Sequence, residues 1–116
     1  MDEILKKALD FSQYNQTLNL QRKLIREKLD STLTYGHGGG VFKIDRSLIV
    51  FVQMLIDRDR KNKIPLIDAN NNPIMIDDLE KFRDEIFDRY FSATLEYLSE
   101  YEKIKKSRTV EKLVDL

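Results

Sequence analysis

The first thirty residues place apolar side chains at helical spacing. Four large apolar residues recur every seven positions, namely Ile4, Phe11, Leu18 and Ile25. Side chains at this spacing share one face of a helix, which needs a partner surface along its whole length. Since no glycine or proline interrupts the segment, the pattern predicts a long helix over about residues 2–31.

A second long stripe runs through the last third of the chain. Its apolar and aromatic members step by threes and fours: Leu79, Phe82, Ile86, Tyr90, Ala93, Tyr97, Tyr101 and Ile104. Asp77, with Glu80 three residues later, resembles a capping box at a helix start. We therefore predict a second long helix over about residues 78–107.

The two predicted helices are long for a chain of 116 residues. Each would measure about 45 Å at a rise of 1.5 Å per residue, whereas a compact domain of this size is about 27 Å across. Packing the helices against each other therefore leaves part of each stripe for another molecule. This predicts a homo-oligomer, with a dimer favoured.

Two turn-rich segments between the helices predict β-hairpins. In the first, β-branched and aromatic arms at 32–35 and 41–44 flank the glycine-rich residues Gly36–Gly40. The second hairpin covers about 64–76, with a dense group of turn formers at 68–73.

Residues 46–61 fit either a short helix or a buried strand. Their apolar positions follow a helical stripe, but the run Ile49–Val52 also suits a strand. Asp45 can cap a helix at this point, which favours helix. The predicted fold is predominantly helical α+β, with one domain over 1–107 and a short tail over 108–116.

Composition narrows the classes of protein. Twenty basic and twenty acidic residues cancel, whereas a dedicated nucleic-acid binder usually carries a basic excess. The chain has no cysteine, which excludes disulfides and thiolate zinc sites and is typical of a reducing compartment. Its longest apolar stretch, Leu48–Ile56, is well short of the roughly 20 residues that span a bilayer. We expect a cytoplasmic or virion protein that is neither secreted nor membrane-bound.

The glycine-rich segment does not predict a phosphate site. Phosphate-binding loops continue into a helix and end in glycine, or in lysine and a hydroxyl residue, whereas Gly36–Gly40 leads into Val41 and a strand-like arm. His37 is the sole histidine and is predicted to be an exposed loop residue. Whether this loop binds a ligand stays open at this point.

The loop Asp68–Asn72 partly follows a calcium-binding pattern. Asp68, Asn70 and Asn72 match the first three oxygen ligands of an EF-hand loop, but Pro73 stands where glycine is required and Leu79 where glutamate is. A polar turn is the favoured interpretation, with ligand binding left open. The acidic residues at 77–88 predict a solvated helix flank, so we expect no catalytic, cofactor-binding or metal-binding residue, and no enzyme.

Two basic runs offer an alternative function. Four cations within six residues can contact phosphates, and the runs at 58–63 and 103–108 both meet this condition. The candidate nucleic-acid contacts are Arg58, Arg60, Lys61, Lys63, Lys103, Lys105, Lys106 and Arg108. Neither run contains an aromatic residue for base stacking, so nucleic acid is possible but not favoured as a partner.

The C-terminal residues form a candidate docking tail. After a predicted break at Ser107, the tail carries four apolar residues: Val110, Leu113, Val114 and Leu116. Such a segment either docks on a partner or folds back as a last helical turn.

Three stretches together carry a resemblance: ALDFSQYNQTLNLQRK at 8–23, YGHGGGVFKI at 35–44 and EYEKIKKSRTVEKLV at 100–114. They resemble small proteins without an assigned function that T4-like marine phages encode. The resemblance implies a phage-infected bacterial cytoplasm or a virion as the setting, with another phage or host protein as a conceivable partner. Together with the helical stripes, it leads us to expect a non-enzymatic accessory, assembly or adaptor protein without a cofactor.

Overall fold

The computed structural model describes residues 2–114, and the side chains of residues 2–106. Helices account for 68% of the chain and two small antiparallel hairpins complete it, which confirms the predicted α+β fold. The elements in chain order are α1 (Asp2–Thr32), β1 (Thr34–His37), β2 (Gly40–Lys43), α2 (Arg46–Asp57), β3 (Asn62–Ile67), β4 (Pro73–Asp78) and α3 (Leu79–Val114).

The chain divides into two compact units. The first, which we name the helical arm, consists of Met1–Lys28 and Glu96–Leu116, and the second, the hairpin unit, is Leu29–Leu95. Both long helices contribute to both units, because α1 and α3 each continue across a boundary. A single domain over 1–107 with a separate tail stays a prediction.

In the helical arm, the part of α1 up to Lys28 packs antiparallel to the part of α3 that begins at Glu96. Leu18 and Ile104 are buried in it, and Lys28 Nζ lies 2.6 Å from Glu96 Oε1. The hydrogen bond to Glu96, together with the charge of that carboxylate, raises the pKa of the Lys28 ammonium. The predicted packing of the two long helices is thereby confirmed.

The predicted stripe of α1 is only partly buried. Leu18 is 5% exposed and Ile25 is half-buried, but Ile4 and Phe11 are 76% and 61% exposed. The spacing correctly identified a helix, whereas burial of its whole stripe is not found within the described structure.

The hairpin unit holds the main hydrophobic core. Its most deeply buried side chains come from β2, α2, β3, β4 and α3, and from the link between β2 and α2. They are Phe42, Ile44, Val52, Leu66, Ile76, Leu79, Phe82 and Ile86. In β1 the core residue is Tyr35, with its ring tilted against Phe82 at 6.0 Å between centroids.

The ends of the helices follow local capping chemistry. Residues 46–57 are helical, as favoured, and Asp45 Oδ1 accepts from the Leu48 amide at 2.7 Å. At the start of α3 the cap is Asp78 rather than the predicted Asp77, since Asp78 Oδ1 accepts from the Lys81 amide at 3.2 Å. At its other end α3 continues beyond Ser107 to Val114, so the predicted break at Ser107 is wrong.

Candidate functional site

The glycine-rich segment is more regular than predicted. Its turn consists of Gly38 and Gly39 alone, with φ of 59° and 83°, and the flanking glycines belong to β1 and β2. Two successive positive φ values are typical of a tight hairpin turn that suits the twist of its strands. These glycines therefore have a structural role in closing the hairpin.

His37 lies in strand β1 and is half-buried, so the prediction of an exposed loop histidine is wrong. Its imidazole meets the Phe82 ring edge-on at 5.2 Å between centroids. Its Nδ1 lies 3.3 Å from the Tyr35 hydroxyl. Because residues two apart in a strand share a face, His37 lies on the same side of β1 as the buried Tyr35. The sequence did not indicate this, because glycines surround His37 and suggest a loop.

Tyr35 is the centre of a polar cluster that sequence reasoning missed. Its hydroxyl donates to Glu85 Oε2, and the Arg89 guanidinium lies 4.5 Å from the centroid of its ring. Burial, followed by the hydrogen bond to Glu85, raises the pKa of the Tyr35 phenol. Because Tyr35 and Glu85 are fifty positions apart in sequence, no local pattern reveals this contact between β1 and α3.

The Asp68 carboxylate is buried, and both of its oxygens accept hydrogen bonds from backbone amides. Its Oδ1 accepts from Asn70 and Asn72 at 3.0 and 2.8 Å, and its Oδ2 accepts from Val41 at 3.0 Å. These bonds, led by the one from Val41, lower the pKa of Asp68. The predicted polar turn is correct, and the carboxylate serves to join the two hairpins.

A groove in the hairpin unit is the best candidate for a binding surface. It has a volume of about 570 Å³ and lies between α2 and α3. Its apolar wall is formed by Ile49, Val50 and Met54 of α2 and by Phe87 of α3. Val50, Met54 and Phe87 are 67%, 44% and 45% exposed, so this apolar surface is open to solvent.

A chain of hydrogen bonds crosses the polar side of this groove. Arg83 Nη1 donates to Gln53 Oε1 at 3.2 Å, and Gln53 Nε2 donates to Asp57 Oδ1 at 2.8 Å. Arg83 Nε also donates to Asp84 Oδ1 at 3.0 Å. Both carboxylates therefore have a local partner, and the groove combines an apolar wall with an ordered polar strip.

The two basic runs lie in different units. In the hairpin unit Arg58, Arg60 and Lys63 are exposed, whereas Lys61 is half-buried, with its ammonium 3.6 Å from both Asp59 and Glu80.

In the helical arm Lys103, Lys105 and Lys106 are exposed on α3, and Lys103 lies 3.5 Å from Glu100. The remaining candidate contact, Arg108, lies outside the residues whose side chains are described. The same holds for the candidate docking tail: Val110, Leu113, Val114 and Leu116.

The described residues contain no group of three or more histidine, aspartate and glutamate side chains placed to hold a metal ion. In the same part of the chain, no helix has the length and apolar character needed to cross a membrane. Comparison with known proteins finds no matching family, no matching curated protein and no matching solved structure. The candidate site therefore stands on its geometry alone.

Proposed function

We propose that this chain is a non-enzymatic assembly or adaptor protein that acts through contacts between helices. The observation that supports the proposal is the open groove between α2 and α3. Single exposed apolar residues are common on any surface, whereas a concave group of them is typical of an interaction site. Val50, Met54 and Phe87 form such a group.

The groove has the chemistry expected for an amphipathic partner helix. Its volume of about 570 Å³ falls within the range of pockets that enclose apolar groups. A partner helix would insert one or two apolar side chains against Met54 and Phe87, as in other helix-in-groove interfaces. The polar strip from Arg83 to Asp57 would pair with the hydrophilic edge of that helix.

A second copy of the chain is the favoured partner, and a dimer the favoured assembly. Another phage or host protein would meet the same chemical requirement. The resemblance to phage-encoded proteins suggests the cytoplasm of an infected bacterium or the virion as the place where the contact is made.

Nucleic-acid binding remains the alternative proposal, but no specific observation favours it. The chain has no net charge, and Lys61 of the first basic run already contacts Asp59 and Glu80. Each cation held by a carboxylate contributes less to phosphate neutralisation, which supplies most non-specific affinity.

The groove proposal predicts selective loss of partner capture. Immobilised wild-type chain and the variants Met54→Glu and Ile67→Glu would be exposed to a bacterial extract, and the retained proteins quantified by mass spectrometry. A charge in the groove should reduce retention of a specific partner at least about tenfold. Ile67, 71% exposed on β3 of the same unit, provides the matched control. Equal retention by both variants would rule the groove out as a site that captures another protein. An unchanged dimer dissociation constant of the Met54→Glu variant in sedimentation would rule it out as a contact between two copies.

A further inference from the structure

The face of α1 that carries Leu9 and Leu20 is unusually apolar for a solvent-exposed helix. Four leucines on it are more than half exposed: Leu5 62%, Leu9 55%, Leu20 56% and Leu24 54%. Gln13 and Gln16, which lie between Leu9 and Leu20 in the sequence, are also exposed. At 3.6 residues per turn these six positions fall within an arc of about 100°. We name them the leucine face.

The leucine face has the same residue pattern when read in either direction. Positions 5 and 24, 9 and 20, and 13 and 16 lie at equal distances from the midpoint between residues 14 and 15. Leucine therefore corresponds to leucine at both outer pairs, and glutamine to glutamine at the inner pair. Two antiparallel copies of α1 would bring like residues together along the whole face.

The charges on α1 also favour an antiparallel pair. Residues 2–10 carry three acidic and two basic side chains, whereas residues 22–28 carry four basic and one acidic. An antiparallel arrangement places the net negative end of each helix beside the net positive end of the other. A parallel arrangement would place like ends together.

From this symmetry we infer that two copies of the chain pair through the leucine face of α1, antiparallel, with Leu9 of each copy against Leu20 of the other. The inference rests on the proposed assembly function and specifies its partner and surface. The two central glutamines meet across the axis, where a polar pair within an apolar seam fixes the register of the helices. An isologous contact of this kind closes at two copies.

Cysteine cross-linking tests the arrangement directly, because the chain has no cysteine of its own. The variants Leu9→Cys and Leu20→Cys would be oxidised separately and as a mixture, and the products separated without reductant. A disulfide needs Cα atoms within about 7 Å, whereas antiparallel pairing separates Leu9 from Leu9 of the second copy by about 17 Å. The mixture should therefore form a mixed disulfide, and each variant alone should not.

One control mixture, and a second test with its own control, accompany the cross-linking. A mixture of Leu20→Cys with Ile67→Cys, which lies on the hairpin unit, should give no cross-link. The double variant Leu9→Glu/Leu20→Glu should raise the dissociation constant of the dimer at least about 100-fold in sedimentation. Leu98→Glu, a similarly exposed leucine on α3, should leave it within about threefold.

Cross-linking of each single variant with itself would indicate parallel helices and overturn the inference, as would a monomeric wild-type chain. Parallel cross-linking leaves the groove between α2 and α3 unaffected. A monomeric chain would remove a second copy as the partner of the groove, but capture of another protein is measured separately with the Met54→Glu variant. The pairing of α1 and the groove proposal can therefore fail independently.

Discussion

At the scale of single residues, the backbone at Gly40 lies so close to neighbouring side chains that the size of the residue at this position affects packing. A Cβ atom added to Gly40 would lie 2.5 Å from Ile74 Cγ1 and 3.1 Å from Asp68 Oδ2. The backbone at Gly40 therefore comes so close to the side chains of Ile74 and Asp68 that a larger residue would have to displace Ile74. The sequence marks this position as one glycine among several, without showing which of them has a packing role.

Replacing Gly40 by alanine should destabilise the fold by about 1–3 kcal/mol, since the added methyl group has to displace Ile74. Gly36→Ala is the matched control, because its Cβ would meet only the Gly40 carbonyl oxygen at 3.9 Å. That variant should change stability by less than about 1 kcal/mol. Urea unfolding of both variants measures the difference, and equal loss in the two would contradict the packing argument.

At the scale of elements, the two hairpins depend on each other through Asp68. Besides the side-chain bond from the Val41 amide, the Ala69 amide donates to the Val41 carbonyl at 2.8 Å. The loop of the second hairpin is thus bonded to strand β2 of the first. The Asp68 carboxylate therefore stabilises the contact between the two hairpins.

Asp68→Asn should lower the melting temperature at neutral pH, because an amide cannot accept all three backbone bonds. The folded-state pKa of Asp68 is depressed, so its stabilising effect is present above the unfolded-state value of about 4 and is lost as pH falls through the folded value. The difference between wild type and variant should therefore stay constant from about pH 7 to about pH 5 and shrink as the pH falls below about 4. Thermal unfolding of both proteins across this pH range tests the prediction. A difference in melting temperature that does not change with pH would contradict a stabilising role of the ionised Asp68 carboxylate.

Element types were predictable because they depend on short-range patterns. Apolar spacing identified α1 and α3, turn formers identified both hairpins, and Asp45 decided α2 in favour of helix. The contacts of Tyr35 with Glu85 could not be predicted, because they depend on how distant segments pack. The groove was equally hidden: Met54 and Phe87 belong to two different helices, and neither stands out in its own segment.

At the scale of the whole molecule, the chain has more apolar helix surface than its described residues bury. Within the helical arm only Leu18 and Ile104 of the described large apolar side chains are buried, whereas the leucine face of α1 is open. The length argument from the sequence predicted such an excess, but it could not identify which side of each helix stays exposed. Two independent surfaces result, the groove of the hairpin unit and the leucine face of the arm.

The open helix surfaces are predicted above all to associate with a second copy of the chain. The molar mass of the wild-type chain, measured by light scattering from about 10 µM to about 1 mM, is the most direct test. We expect the mass to rise from 13.7 kDa toward twice that value and to stay there. A mass of 13.7 kDa at every concentration would contradict it.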